Sequence, residues 1–363
     1  MEGEITISDD KLHASAPAGT SLAKLTDILW KQGASLINQG DVNPQALAGA
    51  IATGTHGTGA TLGSLSTAAR GFELMTHDGS IVKCSPTENP DLFQASRLSL
   101  GLTGVATRIA FDILPAYHLE ERLEVYPLDE VAARWDELAV QNRHVEFFVF
   151  PYADLAMLKI LHPKPSEGEM REQRDMDDIA FRRVCDICKT FPFMTPYLQK
   201  RLLPEKMKRR RVGPAYRIFP SDRTVKFEEM EYELPRANGW SALREVIAWI
   251  RKKGLPVAFP FEFRLVAADD IWLSPFNGRT GASISMHQYH RMKWHAIFAE
   301  AEKIFRAHDG RPHWAKRHTL TTADLHQLYP QAAQFCAVRD EIDPQAKFAN
   351  AHLAKLFDIK AAS

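Results

Sequence analysis

Seven consecutive residues, Thr53-Gly54-Thr55-His56-Gly57-Thr58-Gly59, suit chemistry better than core packing. Glycine admits positive φ and lets a large ligand approach the backbone, and each threonine adds a hydroxyl beside the exposed amides. Such a loop suits a pyrophosphate, whose oxygens need many donors and little side-chain bulk. It lacks the GxGxxG order of a nicotinamide-binding turn and the GK[ST] of a nucleotide-hydrolysing loop. Taken alone, it reads equally as a structural turn or as a phosphate cradle.

A second set lies on two predicted strands. In the strand over 258–265, Phe259, Phe261, Phe263 and Leu265 point one way, and Glu262 and Arg264 the other. A carboxylate thus neighbours a guanidinium on one face of an otherwise apolar strand. The pair is open to two readings, a structural ion pair or an acid–base pair for catalysis. Over 282–289, Ser283, Ser285, His287 and Tyr289 share one face. Two polar faces within an apolar region suggest a lined cavity for a hydroxylated ligand.

The elements that must position these residues alternate irregularly. Residues 4–17 read as a hairpin turning at Asp9-Asp10, and Ser21 caps a helix carrying Leu22, Leu25, Ile28 and Leu29 that Gly33 stops. Phe72, Leu74 and Met75 lead through Asp78-Gly79 to a strand at Ile81-Val82. This mixture predicts an α+β fold, not a doubly wound sheet. Near Pro115 the character changes. Beyond it come strands at 145–150, 225–227 and 258–265, with helices from Ser241 to Gly254 and from Met292 to Phe305. That order predicts an antiparallel sheet covered by helices on one side. The polar stretch from His162 to Asp178 is expected to be solvated, and Lys206-Met207-Lys208-Arg209-Arg210-Arg211 to be an exposed basic face.

The chain has 363 residues, 45% hydrophobic and 25% charged, with a formal net charge of zero. That balance provides no electrostatic case for nucleic acid or an anionic membrane as partner. No apolar stretch approaches the roughly 20 residues that span a bilayer, and Met1-Glu2-Gly3-Glu4-Ile5 has no secretory character. A cytoplasmic location is therefore expected. Four cysteines suggest neither a disulfide scaffold nor a zinc framework, and the Cys185/Cys188 pair stands without a second pair. No metal site is expected.

The run Leu47-Ala48-Gly49-Ala50-Ile51-Ala52-Thr53 through Gly59 resembles part of the flavin pyrophosphate loop of the vanillyl-alcohol-oxidase superfamily. More narrowly, it resembles the aldonolactone and alditol oxidases, which oxidise sugar lactones or polyols with FAD. Further matches are Ser99-Leu100-Gly101-Leu102-Thr103-Gly104-Val105, the strand Phe147-Phe148-Val149-Phe150-Pro151-Tyr152, and Arg339-Asp340-Glu341-Ile342-Asp343-Pro344 with Phe348-Ala349-Asn350. The resemblance implies a partial FAD-binding domain at 1–117, a cap domain at 118–335 and a returning segment at 336–363. It implies FAD contacts at Gly49, Thr53, Gly54, Thr55, His56, Gly57, Thr58, Gly59, Gly101, Gly104, Ile109 and Asn350. It also assigns roles to Glu262-Phe263-Arg264, His287 and Lys316. Glu262 would position the substrate hydroxyl and help remove its proton. Arg264 and Lys316 would stabilise the developing alkoxide and reduced flavin, and His287 would bind a neighbouring hydroxyl.

The expected reaction is oxidation of a lactone or polyol hydroxyl by hydride transfer to flavin, with oxygen as acceptor. The alternatives are a dehydrogenase using a quinone or cytochrome, and a sugar-binding remnant without flavin. One departure from the family is plain. Its members begin with a βαβ subdomain that completes the pyrophosphate cradle and often carries a histidine bonded to flavin. This chain starts after that point, so non-covalent FAD is expected, and His56 is not the covalent ligand.

Overall fold

The computed structural model describes residues 3–165, 177–203, 207–221 and 224–359. Its first sheet contains β1 (Thr6–Ile7), β2 (His13–Pro17), β3 (Ala34–Leu36), β4 (Ala69–Met75), β5 (Ile81–Cys84) and β6 (Val105–Pro115). The order is β1-β2-β6-β4-β5, with β3 also on β6. The expected N-terminal hairpin forms, with Thr6 opposite Ser15 and Ile7 opposite Ala14. Helix α1 (Leu22–Lys31) starts where the Ser21 hydroxyl accepts the Lys24 amide. Gly33, at φ 78°, then supplies the left-handed residue that ends it. Helix α2 (Leu47–Ala52) runs directly into the Gly/Thr loop, and α3 (Pro90–Ser96) packs against β4 and β5.

The second sheet contains β7 (His118–Pro127), β8 (His144–Val149), β9 (Leu155–Lys164), β10 (Lys208–Pro214), β11 (Phe227–Pro235), β12 (Phe261–Val266), β13 (Gly281–Tyr289) and β14 (Arg311–Pro312). Their order is β10-β7-β9-β8-β12-β13-β11-β14, and every pairing is antiparallel. Among its helices are α4 (Leu128–Gln141), α5 (Asp177–Thr190), α6 (Thr195–Leu202), α7 (Ala215–Ile218), α8 (Gly239–Lys253) and α9 (His295–Ala307). Trp135 of α4, Leu243, Val246 and Ile250 of α8, and Phe298 and Phe305 of α9 cover one face. They meet Phe147, Phe261, Phe263, Leu265, Ile284 and Met286, side chains of one parity. The remaining helices, α10 (Thr322–Leu328), α11 (Ala332–Ile342) and α12 (Ala351–Leu356), place Phe335 and Leu356 in a cluster with Ala95, Leu98, Leu102 and Ile271.

Several expected boundaries shift. The strand expected from Ala258 starts at Phe261, because Pro260 has no amide to give the ladder. Phe259 instead packs with Val225 and Tyr289 in a separate cluster. Met292 precedes α9 in a turn rather than lying on the helix, and Val225-Lys226 precede β11. From Lys208 the basic run is the edge strand β10, not a plain exposed face; Lys206 lies outside the described residues. Arg210 pairs with Glu120, and Arg211 grips Glu121 with two bonds of 2.6 and 2.9 Å. Charges along an edge strand disfavour pairing with another chain. Of the polar stretch, His162–Lys164 finish β9 and Asp178 belongs to α5, while 166–176 lie outside the described residues. Cys185 and Cys188 are buried on α5, where burial pushes both thiols up and away from reactivity.

Candidate active site

The face of the second sheet turned away from α4, α8 and α9 carries the opposite parity, and it is polar. The antiparallel registers set Lys159, Glu146, Arg264, Ser283 and Glu233 in one row across five strands. The next row holds Glu262, Ser285 and Glu231, and the row after it His287 and Glu229. Glu262 and Arg264 are 2 and 8% exposed, yet they share this face as their alternation requires.

β11 provides the glutamates that organise the cluster. Arg264 donates to Glu231, whose carboxylate also accepts the Ser283 hydroxyl at 2.6 Å. Lys316 donates to Glu229, which lies 3.3 Å from His287 Nε2. The His56 Nε2 stands 3.2 Å from Glu233 and 3.3 Å from Glu231. Arg264, Lys316 and His56 thus all meet carboxylates of this one strand, while Lys159 pairs with Glu146 on β8. The pattern Glu229-Met230-Glu231-Tyr232-Glu233-Leu234 was a legible signal for this, an acid at every second position of a strand whose other face is core.

Burial and charge set the protonation states in opposition. Burial lowers His56, but Glu233 and Glu231 outweigh it and raise the imidazole to about 9. The same burial would raise Glu231, but Arg264 and His56 hold it well below the usual carboxylate range. Glu229 is likewise pulled down against burial by Lys316 and His287. His313, buried beside them, is pushed down to about 3 by desolvation, and its Nδ1 accepts the Ala315 amide at 3.1 Å. His56, Glu231 and His313 bring their donor atoms within 4.8 Å of one another. Within the chain, His56 lies between Glu231 and Glu233, and His313 Nδ1 is taken by the Ala315 amide. Nearby, burial raises Glu146 to about 7 although Lys159 opposes it from 2.8 Å.

The Gly/Thr loop is pinned to this sheet. Gly59 N–H donates to the Leu265 carbonyl at 2.8 Å, Thr58 Oγ to the Val145 carbonyl at 2.6 Å, and His144 Nδ1 lies 2.7 Å from the Thr58 carbonyl. Two glycines have a steric reason. A Cβ on Gly57 would fall 2.4 Å from the Gln39 carbonyl oxygen, and one on Gly59, which sits at φ 147°, would fall 2.8 Å from the Arg143 carbonyl oxygen. The amides of Thr53, Gly54, Thr55 and Gly59 have backbone acceptors. Those of His56, Gly57 and Thr58 are buried and find no acceptor among the described residues. Buried amides are normally paired, so three in succession leave donors for an anionic group. Open space lies where a side chain would be at Gly49 and at Gly101, which has φ 81°. These features fit a dinucleotide lying against the loop. At Gly104, with φ 124°, a Cβ would instead run into the Met75 carbonyl oxygen.

Other expected contacts do not reach this place. Ile109 is fully buried in β6, paired with Phe72 and Ala16, so its side chain belongs to the first core. Asn350 caps α12 by accepting the Leu353 amide at 2.9 Å. His287 Nδ1 lies 3.1 Å from the Pro260 carbonyl, and its Nε2 stands 3.3 Å from Glu229. That Nε2 makes no hydrogen bond among the described residues, which leaves it for the neighbouring hydroxyl expected of this position. Lys316 lies in the cluster through its bond to Glu229. The segments around Leu102 and Asp343, separate in sequence, meet at a cavity of about 250 Å³.

A family model described as D-arabinono-1,4-lactone oxidase matches residues 109–356, and one described as FAD binding domain matches residues 1–85. L-gulono-1,4-lactone dehydrogenase of Mycobacterium tuberculosis is 38% identical over 339 residues, covering 92% of this chain and 78% of that protein. Alditol oxidase of a Streptomyces species is 30% identical, covering 94% and 80%. L-gulonolactone oxidase of Bos taurus is 29% identical, covering 98% and 84%. Cholesterol oxidase from Brevibacterium sterolicum superposes with a TM-score of 0.81 at 16% identity, over 98% of this chain and 83% of that one. That last likeness is one of fold alone.

Proposed function

The chain belongs to the D-arabinono-1,4-lactone oxidase family, and from that premise we propose that it oxidises a hydroxyl of a sugar lactone or polyol with FAD. The observation that carries the reading is the contact between loop and sheet: His56, within the loop, reaches Glu231, and Glu231 holds Arg264. Bound FAD supplies the acceptor for a hydride from the substrate carbon. The amides of His56, Gly57 and Thr58 and the open faces at Gly49 and Gly101 would hold it. Glu262 takes the proton of the substrate hydroxyl as that carbon loses hydride. Arg264 and Lys316 stabilise the negative charge that develops, each fixed in advance by a glutamate. Fixed cations in a buried site need no reorganisation when the charge appears.

We assign the polyhydroxylated, uncharged substrate class from the serines, the imidazole and the paired charges of this face. The name of the Mycobacterium tuberculosis relative favours a second reading of the acceptor, in which a carrier other than oxygen reoxidises the flavin. Four free cysteines fit a reducing compartment, and we propose the cytoplasm.

The test is anaerobic flavin reduction by candidate aldono-1,4-lactones and alditols, normalised to bound flavin. Glu262→Gln keeps volume but removes the charge, and slows reduction on the order of 10²-fold or more. An unchanged rate with a lower melting temperature returns Glu262 to a structural ion pair. Reoxidation with oxygen beside an artificial acceptor separates the two acceptor readings.

A further inference from the structure

The polar face holds a second group of acids that the chemistry at Glu262 has not yet used. Register places Lys159 of β9, Glu146 of β8 and Arg264 of β12 side by side, with Glu262 one row on and diagonal to Glu146. Asp41 joins them from the segment between β3 and α2. Asp41, Glu146 and Glu262 each bring a carboxylate oxygen within 4.8 Å of the other two. Lys159 Nζ holds two of them, Glu146 at 2.8 Å and Asp41 at 3.1 Å, and Arg264 Nε stands 3.7 Å from Glu262. Burial works against the charge on Lys159, but Asp41, Glu146 and Glu121 hold the ammonium above its ordinary range. Its charge is therefore fixed, and any proton that moves in this group moves among the acids.

A base as buried as Glu262 has to be rid of its proton after every oxidation. Its polar neighbours on β12 and β13 are Arg264, already fully protonated, and Ser285, which accepts from Arg264 at 3.3 Å. On β8 the neighbour is Glu146. Exposure rises along the three acids: Glu262 and Glu146 are 2 and 4% exposed, whereas the Asp41 side chain is 15% exposed. Gaps of this size between carboxylates are within the reach of one bridging water. Glu146 also titrates in a useful range. Burial raises it to about 7, with Asp41 and Glu262 adding to the rise and Lys159 and Arg264 opposing it. A carboxyl of that kind both takes up and releases a proton near neutrality.

We propose that Glu146 relays the proton of the oxidation outward, from Glu262 to Asp41 and water. Its role depends on Glu262 being the acceptor of the hydroxyl proton, the reading given above. The substrate O–H bond breaks as an O–H bond forms on Glu262, and the C–H electron pair leaves with the hydride. The proton then passes to Glu146 and on to Asp41, which leaves each carboxylate ionised for the next turnover.

The test is anaerobic stopped-flow oxidation of an aldono-1,4-lactone by the flavin-loaded protein with a pH-indicator dye, at about pH 8, above the titration of Glu146. In the parent, proton release keeps step with flavin reduction. In Glu146→Gln, reduction stays within roughly threefold of parental, because Glu262 still accepts the proton, while release and steady-state turnover fall by roughly tenfold or more. Glu146→Asp recovers part of both. Asp41→Asn leaves Lys159 paired with Glu146 and gives the same lag, which keeps the test open if Glu146→Gln does not fold. In flavin-free protein, infrared difference spectra show a carboxyl that protonates at about pH 7 in the parent and is missing in Glu146→Gln. Prompt release with unchanged turnover in both variants overturns the relay and sends the proton out with the product. Reduction and release that fall together in Glu146→Gln also overturn it, since Glu146 then serves only the geometry of Glu262. A parental reduction rate in Glu262→Gln is a separate failure, which removes the base and the relay with it.

Discussion

The two faces of the eight-stranded sheet are made by the same strands and differ in every respect that matters. On one, Phe147, Phe263 and Trp240 stack with centroids 5.0 to 5.2 Å apart and need only to exclude water. On the other, Arg264, Glu231, Glu233, Glu262 and His56 are about as deeply buried, and each stands beside a group of opposite kind. Apolar burial is stabilising contact by contact. Charge burial is tolerable only as a set, because desolvation costs several kcal/mol for any ion left without its partner. A polar network under that constraint is a site held in readiness, whereas the apolar face is the platform that keeps its geometry.

Matched substitutions one residue apart test that contrast most strongly. Arg264→Leu leaves Glu231 and Glu262 buried without their guanidinium, and should cost about 3–5 kcal/mol in denaturant unfolding. Phe263→Ala opens a cavity between Phe147 and Trp240 and should cost a similar 3–5 kcal/mol or so. Flavin reduction per folded, loaded molecule should collapse for Arg264→Leu and stay near parental for Phe263→Ala. Equal damage to the rate by both would erase the distinction between site and platform.

Titration gives a smaller and more selective effect. His56 is raised to about 9 in the fold, so its contribution is present in full below pH 6.5 and is lost as pH climbs through 9. His144 and His313 are pushed down to about 3, and His318 to about 4, so each stays neutral in the fold. The unfolded chain protonates them first, and stability therefore falls as pH drops from 6.5 towards 4. Denaturant unfolding across pH 4 to 10 should show both limbs. His56→Gln should remove part of the alkaline limb, at most about 1.4 kcal/mol per pH unit, and leave the acid limb in place. An alkaline limb identical in parent and variant would mean that the loop and sheet are not joined through this imidazolium.

The smallest change belongs to the sheet edge. Arg210 on β10 is well exposed where it meets Glu120, so Arg210→Ala should alter stability by no more than about 1 kcal/mol. A larger loss would show that the edge strand shares in the energetics of the buried polar face.

How much was legible in advance depends on the kind of signal. Alternation disclosed the shared face of Glu262 and Arg264, and the covered sheet, because a period of two survives in any strand context. The Gly/Thr loop stood out because few folds need three glycines in seven residues. Glu229, Glu231 and Glu233 show the same alternation, but acids on a strand read as solvated until a partner is known. Ile109 and Asn350 fell within family matches, yet one is core and the other a helix cap. A match along the chain does not say which way a side chain points.

The sequence by itself determined the α+β class, the two-faced strands and the chemistry available at 53–59 and 262–264, because these depend on local periodicity and residue type. Tertiary structure alone decided that the face bearing Glu262 would be closed by the loop bearing His56, a contact between residues 56 and 231 that no local pattern encodes. The cross-strand register chose which carboxylate meets which cation, and burial then fixed who keeps the proton. Separation in sequence sets no limit on such pairings; distance and dielectric in the folded chain do.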